Sequence, residues 1–198
     1  MDLTVAILAG GRSKRMGSDK ALLTIEGIPL LQRVINAAHT LADARIIISN
    51  SPATHSPFLW TLFPDRFPDA GPLGGLATAL HHATTSHLLL LACDMPNLTP
   101  PLLQYLVDQP RASHGVIIPE DEKGLQPLCA VYSRSILPLT EDAIEKGQFS
   151  MQTFVGRINA HVINRGKWAP HSEAHDTFAN LNTPEEYRAG HKKCPSLS

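Results

Sequence analysis

Cysteine is scarce. Cys93, Cys129 and Cys194 are the only three among 198 residues, and they form neither an even set nor a C-x-x-C pair. That argues against a disulfide framework or a zinc knuckle and for a reduced, cytosolic protein. Long apolar runs are missing as well: the most apolar stretch, Leu88 to Cys93, is far too short to cross a bilayer. Asp2 stands at the amino end and an apolar strand pattern follows at once, so no secretory leader is visible. An excess of one charge is absent too. Lys and Arg number 17 against 18 Asp and Glu, and a net charge of -1 argues against a general nucleic-acid binder. Hydrophobic residues at 43% sit near the globular average, which argues against disorder. No internal repeat and no linker divides the chain. The expectation is one soluble, cytoplasmic domain over residues 1–198, with a disordered tail after about residue 191 and no nucleic-acid or membrane partner.

What positive charge there is gathers in one place. Val5-Ala6-Ile7-Leu8 reads as a buried strand by its length and β-branched content. Leu8-Ala9-Gly10-Gly11-Arg12-Ser13-Lys14-Arg15-Met16-Gly17-Ser18-Asp19-Lys20 follows from it. Glycine lets the backbone approach a ligand and aim N–H groups at anionic oxygens. Four cations beside such a turn repel one another unless something anionic sits among them, and the simplest occupant is a polyphosphate. The stretch is not a P-loop, because Gly17 is followed by Ser18 rather than Lys, nor do Gly10, Gly11 and Gly17 fit the dinucleotide fingerprint.

The rest of the chain alternates short apolar runs with helical patterns. Leu30, Leu31, Val34, Ile35, Ala38 and Leu41 recur at helical spacing behind Pro29, and Arg45–Ser49 follows as a second buried strand. Residues 52–72 read as a proline-rich loop containing Asp65 and Asp69, and Gly71–Leu76 leads into a helical run through Ala77, Leu80 and Ala83. Leu88–Ala92 is a strand ending at Cys93-Asp94-Met95-Pro96, and Thr99-Pro100 opens another helix. Val116–Ile118, Ala130–Tyr132 and His161–Ile163 are further strand candidates, helices fall around Ile136–Ile144 and Met151–Ile158, and Thr183-Pro184 opens a last one. This order predicts an α/β fold with a three-layer, Rossmann-like, mostly parallel sheet. Ligands of such sheets bind outside the carboxyl ends of the strands, where Asp94 stands. A carboxylate beside a basic phosphate loop suits Mg²⁺, which takes one or two carboxylates plus substrate phosphates. Alternatively Asp94 only begins a turn or caps the next helix.

The Leu8–Lys20 stretch resembles the L-A-G-G-x-S-x-R-M-G-x-D-K signature of GT-A-like nucleotidyltransferases, and within them the molybdenum cofactor guanylyltransferase family. Cys93-Asp94-Met95-Pro96 resembles the family's D-x-P element, Gly71-Pro72-Leu73-Gly74-Gly75 its G-P-L-x-G loop, Gln126-Pro127-Leu128 its Q-P-L, and Asn180-Leu181-Asn182-Thr183-Pro184 its N-x-N-T-P. The resemblance implies transfer of GMP from GTP to the phosphate of molybdenum-molybdopterin, with pyrophosphate released and Mg²⁺ (or Mn²⁺ in its place) as cofactor. It implies that Arg15, Lys20 and Asp94 act in catalysis and that Asp94 holds the metal. GTP would meet Leu8, Ala9, Gly10, Gly11, Lys20, Asn50, Asp65, Gly75 and Asp94, with Asp69 an alternative to Asp65 and Ser49 to Asn50. The acceptor would meet Gln126, Asn180 and Asn182, although a polar loop with a helix cap reads the asparagines equally well. It also implies contact with molybdopterin-transferring or molybdoenzyme-maturation proteins. CMP transfer to molybdopterin, nucleotidyl transfer to another phosphorylated acceptor, and a nucleotide-binding regulatory subunit stay open on these residues. The histidines, ten in all, offer no zinc site: His171 and His175 flank Glu173 in neither zincin order, and adjacent His81 and His82 point different ways.

Overall fold

The computed structural model describes residues 2–10, 19–110, 115–172, 174 and 176–180. Its centre is β1 (Leu3–Leu8), in which every residue is buried. A strand with no exposed position must be covered on both faces, and that demand builds the layers. β1 pairs in parallel with β4 (Ala44–Ile48) on one side and with β6 (His87–Ala92) on the other. β5 (Thr61–Phe63) continues the sheet beyond β4. Beyond β6 come β9 (Cys129–Ser133), then β7 (Val116–Asp121), then β10 (Ala160–Ile163) at the far edge. β8 (Gly124–Leu125) pairs only with β7, and β2 (Thr24–Ile25) and β3 (Ile28–Pro29) form a separate hairpin. β9 runs antiparallel to both its neighbours, and the other strands from β5 to β10 across the main sheet are parallel. The expectation of a mostly parallel three-layer sheet is met.

The alternation of side chains assigns each face. Leu3, Val5 and Ile7, with Ile47, Leu89 and Leu91, join one core. α1 (Leu30–Ala38), α4 (Pro100–Val107) and α7 (Arg165–Trp168) pack there through Leu31 and Val34, Leu102 and Leu106, and Trp168. Ala6, Leu8, Ile46, Ile48, Leu88 and Leu90 face the other core. α3 (Gly71–His82), α5 (Leu137–Glu145) and α6 (Met151–Val155) cover that side through Leu73, Leu76 and Leu80, Ala143, and Phe154. Each fully buried leucine contributes about 1.5–3 kcal/mol of transfer free energy, so the two-sided strands supply much of the driving force.

Three local expectations are corrected. Residues 52–72 are not simply a loop: α2 (Pro52–His55), a short 3-10 turn and β5 occupy much of the segment. Prolines at 52 and 57 masked this, yet proline at the first helical position is compatible with a helix. The Gly-Pro-Leu-Gly-Gly run is the first turns of α3 rather than a loop preceding it. Thr99 occupies the N-cap position of α4, but its hydroxyl donates to His171 O at 3.1 Å instead of accepting from the helix. α5 stops where expected. Gly147 adopts φ +69°, and its N–H and that of Gln148 donate to Ile144 O and Ala143 O, the paired bonds of a left-handed C-terminal cap. The tail after residue 191 and the helix expected from Pro184 lie outside the described residues.

The glycine pair in α3 sets how closely that helix seats. A Cβ on Gly74 would stand 2.3 Å from Phe67 O, and one on Gly75 would stand 2.9 Å from a Leu8 methyl of β1. Gly74→Ala is therefore expected to lower unfolding free energy by about 1–3 kcal/mol. Gly156→Ala, where the added carbon meets nothing nearer than 3.5 Å, should stay within about 0.5 kcal/mol of the parent. Denaturant titration of both variants checks the contrast; equal stabilities would mean that α3 relaxes freely.

Candidate active site

Parallel register brings the strand ends level. Leu8 pairs with Ile48 on one side and Ala92 on the other, so the residues after each strand share one rim of the sheet. Here the connections diverge, since β1 leads to a neighbour on one side and β6 lies on the other. Such a switch point opens a crevice for ligands. Ala9 N–H still donates to Ile48 O (2.9 Å) and Cys93 N–H to Leu8 O (3.1 Å), which holds the rim rigid one residue past the strands. Gly10 then emerges exposed, and among the described residues only Ile48 O, 4.0 Å away, stands near the position a side chain would take.

Lys20 returns to this rim. Asp19 caps the 3-10 turn Lys20–Leu22 by accepting from Ala21 N–H at 3.0 Å. The turn directs Lys20 Nζ to Asp94 Oδ2 at 2.6 Å, with the two side chains only 16% and 18% exposed. The other carboxylate oxygen, Asp94 Oδ1, is buried and has no hydrogen-bond partner among the described residues. An unsatisfied carboxylate oxygen beside the Lys20 ammonium fits a hard divalent cation that completes its shell with other oxygen ligands and water. Among the described residues no group of three or more His, Cys, Asp or Glu could hold a metal alone. Next to Asp94, burial and then the carboxylate charge push the Cys93 thiol up to about 12, so it stays protonated and inert near neutrality.

Other residues expected at the site fall into place unevenly. Asn50 and Asp65 meet: Asp65 N–H donates to Asn50 Oδ1 at 3.0 Å. Asp65 Oδ1 accepts from Thr78 Oγ1 of α3 (3.0 Å) and from Phe67 N–H (2.9 Å). Asp69 is exposed just before α3. Gly75 lies in α3 against Leu8. Gln126 Nε2 donates to Asp121 Oδ1 at 2.9 Å, in the β7–β8 turn. Asp121 borders a cavity of about 70 Å³ together with Lys123, Arg165, Trp168, Phe178 and Ala179, and Ala179 directly precedes Asn180. Gln126 thus reaches this cavity by way of Asp121, and Asn180 follows the lining residue Ala179 in the chain. Gly11, Arg15 and Asn182 lie outside the described residues. Two of the histidines pack on aromatic rings: His82 stacks on Phe63 (centroids 3.7 Å apart) and His171 on Tyr105 (4.1 Å). Burial, then the neighbouring His81 and Arg66, lower the His82 pKa.

Sequence reasoning missed His55 and the contacts it makes here. Ser49, His55 and Asp19 form a polar line beneath Lys20. His55 carries no periodic signal, and a proline-rich context hid the short helix that turns it inward.

A parallel sheet with a level rim at its switch point, carrying a lysine–aspartate pair where the glycine-rich stretch begins and ends, defines a Rossmann-like nucleotide-handling enzyme. Residues 5–162 match the family model described as the MobA-like NTP transferase domain. The chain is 36% identical over 191 residues to the probable molybdenum cofactor guanylyltransferase of Nostoc sp., covering 93% of this chain and 88% of that one. Molybdopterin-guanine dinucleotide biosynthesis protein A from Archaeoglobus fulgidus superposes with a TM-score of 0.82 at 23% identity, covering 95% of this chain and 96% of that one. Rv0371c of Mycobacterium tuberculosis, solved in complex with manganese, has a TM-score of 0.68 at 17% identity, covering 98% of this chain and all (100%) of that one. The chain belongs to the MobA-like NTP transferase family and is a nucleotidyltransferase.

The ion pair generates a stability test. Lys20→Met and Asp94→Asn should each destabilise, because each strands its partner in a largely buried position. The double variant should lose less than the sum, with a coupling of about 1–3 kcal/mol. Unfolding curves of the three variants measure it, and strict additivity would show that the 2.6 Å contact contributes nothing.

Proposed function

We propose that the protein transfers GMP from GTP to the terminal phosphate of molybdenum-molybdopterin, releasing pyrophosphate and forming the guanine dinucleotide. The observation that carries this reading is the Lys20–Asp94 pair at the rim between β1 and β6, in a chain whose curated relative from Nostoc sp. is named a guanylyltransferase. An acceptor phosphate oxygen attacks the α-phosphorus and the bond to the β-phosphate oxygen breaks. Orientation and charge neutralisation suffice, without a protein nucleophile.

In this proposal Lys20 carries its ammonium to the phosphates, and Arg15 and Gly11 contribute from the same stretch. Backbone groups of Leu8, Ala9 and Gly10 face base or ribose. Asn50 and Asp65, already joined to each other, contact the nucleotide as a unit. Gly75 contributes indirectly, by letting α3 close on Leu8. Asp94 would hold Mg²⁺, with Mn²⁺ able to substitute, and the bound ion would neutralise phosphate charge. Gln126 and Asn180, with Asn182, would receive the pterin acceptor. The proposal includes a single domain working in the cytoplasm and contacts with molybdopterin-transferring or molybdoenzyme-maturation proteins. Among the described residues no helix is long and apolar enough to cross a membrane.

The deciding experiment is pyrophosphate release from each NTP with Mg²⁺ and molybdenum-loaded molybdopterin. Turnover is expected with GTP. Turnover with CTP alone would overturn the base assignment, and tight GTP binding without pyrophosphate release would overturn catalysis. Lys20→Ala should lose about ten- to hundredfold in turnover, in line with one charge-assisted contact of about 1.5–3 kcal/mol. Asp94→Asn should lose at least about a hundredfold and raise the Mg²⁺ requirement; wild-type turnover at low Mg²⁺ would remove the carboxylate from the metal.

A further inference from the structure

Beneath the Lys20 turn runs a second line of polar groups. His55, the last residue of α2, is 0% exposed, and Ser49, just past β4, is 1% exposed. His55 Nδ1 lies 2.6 Å from Ser49 Oγ, and Nε2 lies 3.0 Å from Asp19 Oδ2. Ser49 Oγ also accepts from Ser51 N–H at 2.9 Å, and Ser49 N–H donates to Phe63 O at 2.9 Å. Asp19 Oδ1 is the cap of the Lys20 turn. One residue at the end of the glycine-rich stretch is thereby joined, through a buried imidazole, to the ends of β4 and β5.

The partners assign the tautomer. With the proton on Nε2, the ring N–H faces a carboxylate oxygen, and Ser49 O–H donates to Nδ1 while its oxygen accepts from Ser51. With the proton on Nδ1 instead, Ser49 Oγ would receive two donors and the Nε2 lone pair would face Asp19 at 3.0 Å. The first arrangement sets a donor toward the carboxylate, whereas the second opposes two acceptors. The Nε2 contact lies outside hydrogen-bond angles, so the attraction is of dipole to charge rather than a directed bond. Aspartate, histidine and serine in line also describe a nucleophilic triad, but that chemistry needs a serine oxygen open to substrate. The Ser49 hydroxyl is buried and engaged as both donor and acceptor, so nothing reaches it.

We propose that His55 is a positioning residue for nucleotidyl transfer: with Ser49 behind it, it fixes Asp19, and through Asp19 it holds Lys20 at the place where phosphate charge must be met. The proposal rests on the reading of Lys20 as a phosphate contact. Lys20 then has two anchors, Asp94 beyond β6 and, by way of Asp19, the ends of β4 and β5. The first engages the ammonium itself and competes with substrate for it. The second reaches only the backbone that carries the ammonium.

The test compares backgrounds. Asp19→Asn keeps a cap acceptor, asparagine being an equally good cap, but replaces the charge opposite His55. Asp19→Asn and His55→Ala are each expected to lower kcat with GTP by about ten- to hundredfold, because slight misplacement of a reacting group is that costly. In a Lys20→Ala background each should change kcat by less than about twofold, since no ammonium remains to be positioned. A purely structural role would give the same fold-loss in both backgrounds, and that result, or wild-type kcat in Asp19→Asn, overturns the proposal. If His55→Ala does not fold, as thermal melting would show, Asp19→Asn decides alone. Calorimetric titration with GTP runs the same comparison on affinity, so failure of the transfer reaction itself is seen separately in the wild-type protein.

Discussion

A strand with no exposed side chain has only one way to exist in water: something must cover each of its faces and a neighbour must take each of its edges. β1 imposes that condition, and most of the fold follows from it. Its backbone is paired to β4 and β6, its odd residues press into the α1–α4–α7 core, and its even residues press into the α3–α5–α6 core. The close seating of α3 is part of the same constraint, since Gly75 admits Leu8 where any side chain would collide.

The site is a consequence of that packing rather than an addition to it. Parallel pairing aligns Leu8, Ile48 and Ala92, so whatever follows them in sequence emerges side by side. Ala9 and Gly10, Ser49 and Asn50, and Cys93 and Asp94 come from distant parts of the chain yet share one edge. Lys20 joins them because its turn is capped by Asp19, and both residues are tied down on opposite sides. Both restraints leave the Lys20 side chain and its turn little conformational freedom. The half-satisfied carboxylate of Asp94 leaves electrostatic demand at the same spot.

The two sides of the sheet differ in chemistry. Around β1, β4 and β6 the rim carries Lys20, Asn50 and Asp94 beside Gly10. Around β7 and β8 the Gln126 amide meets Asp121, beside a small cavity that Asp121, Lys123 and Arg165 line together with Trp168 and Phe178. Leu128 O accepts from Ala92 N–H at 2.9 Å, so the loop carrying Gln126 is attached directly to the strand that delivers Asp94.

Sequence alone determined the alternating order of elements, the buried strands at Val5–Leu8, Arg45–Ser49 and Leu88–Ala92, and the location of the glycine-rich stretch and of Asp94 just past a strand. These are local properties: periodicity, apolar runs and turn residues depend on neighbours along the chain. Residues 52–72 were misread because two prolines outweighed a four-residue helix and a three-residue edge strand, elements too short to show a period. The antiparallel direction of β9 was also invisible, since an apolar strand reads the same both ways. Only tertiary structure decided that Lys20 meets Asp94, that Asn50 meets Asp65, and that His55 lies buried between Ser49 and Asp19. Each of those contacts is made across the rim by residues from separate segments, and only the parallel register of the strands beneath them sets which segments stand together.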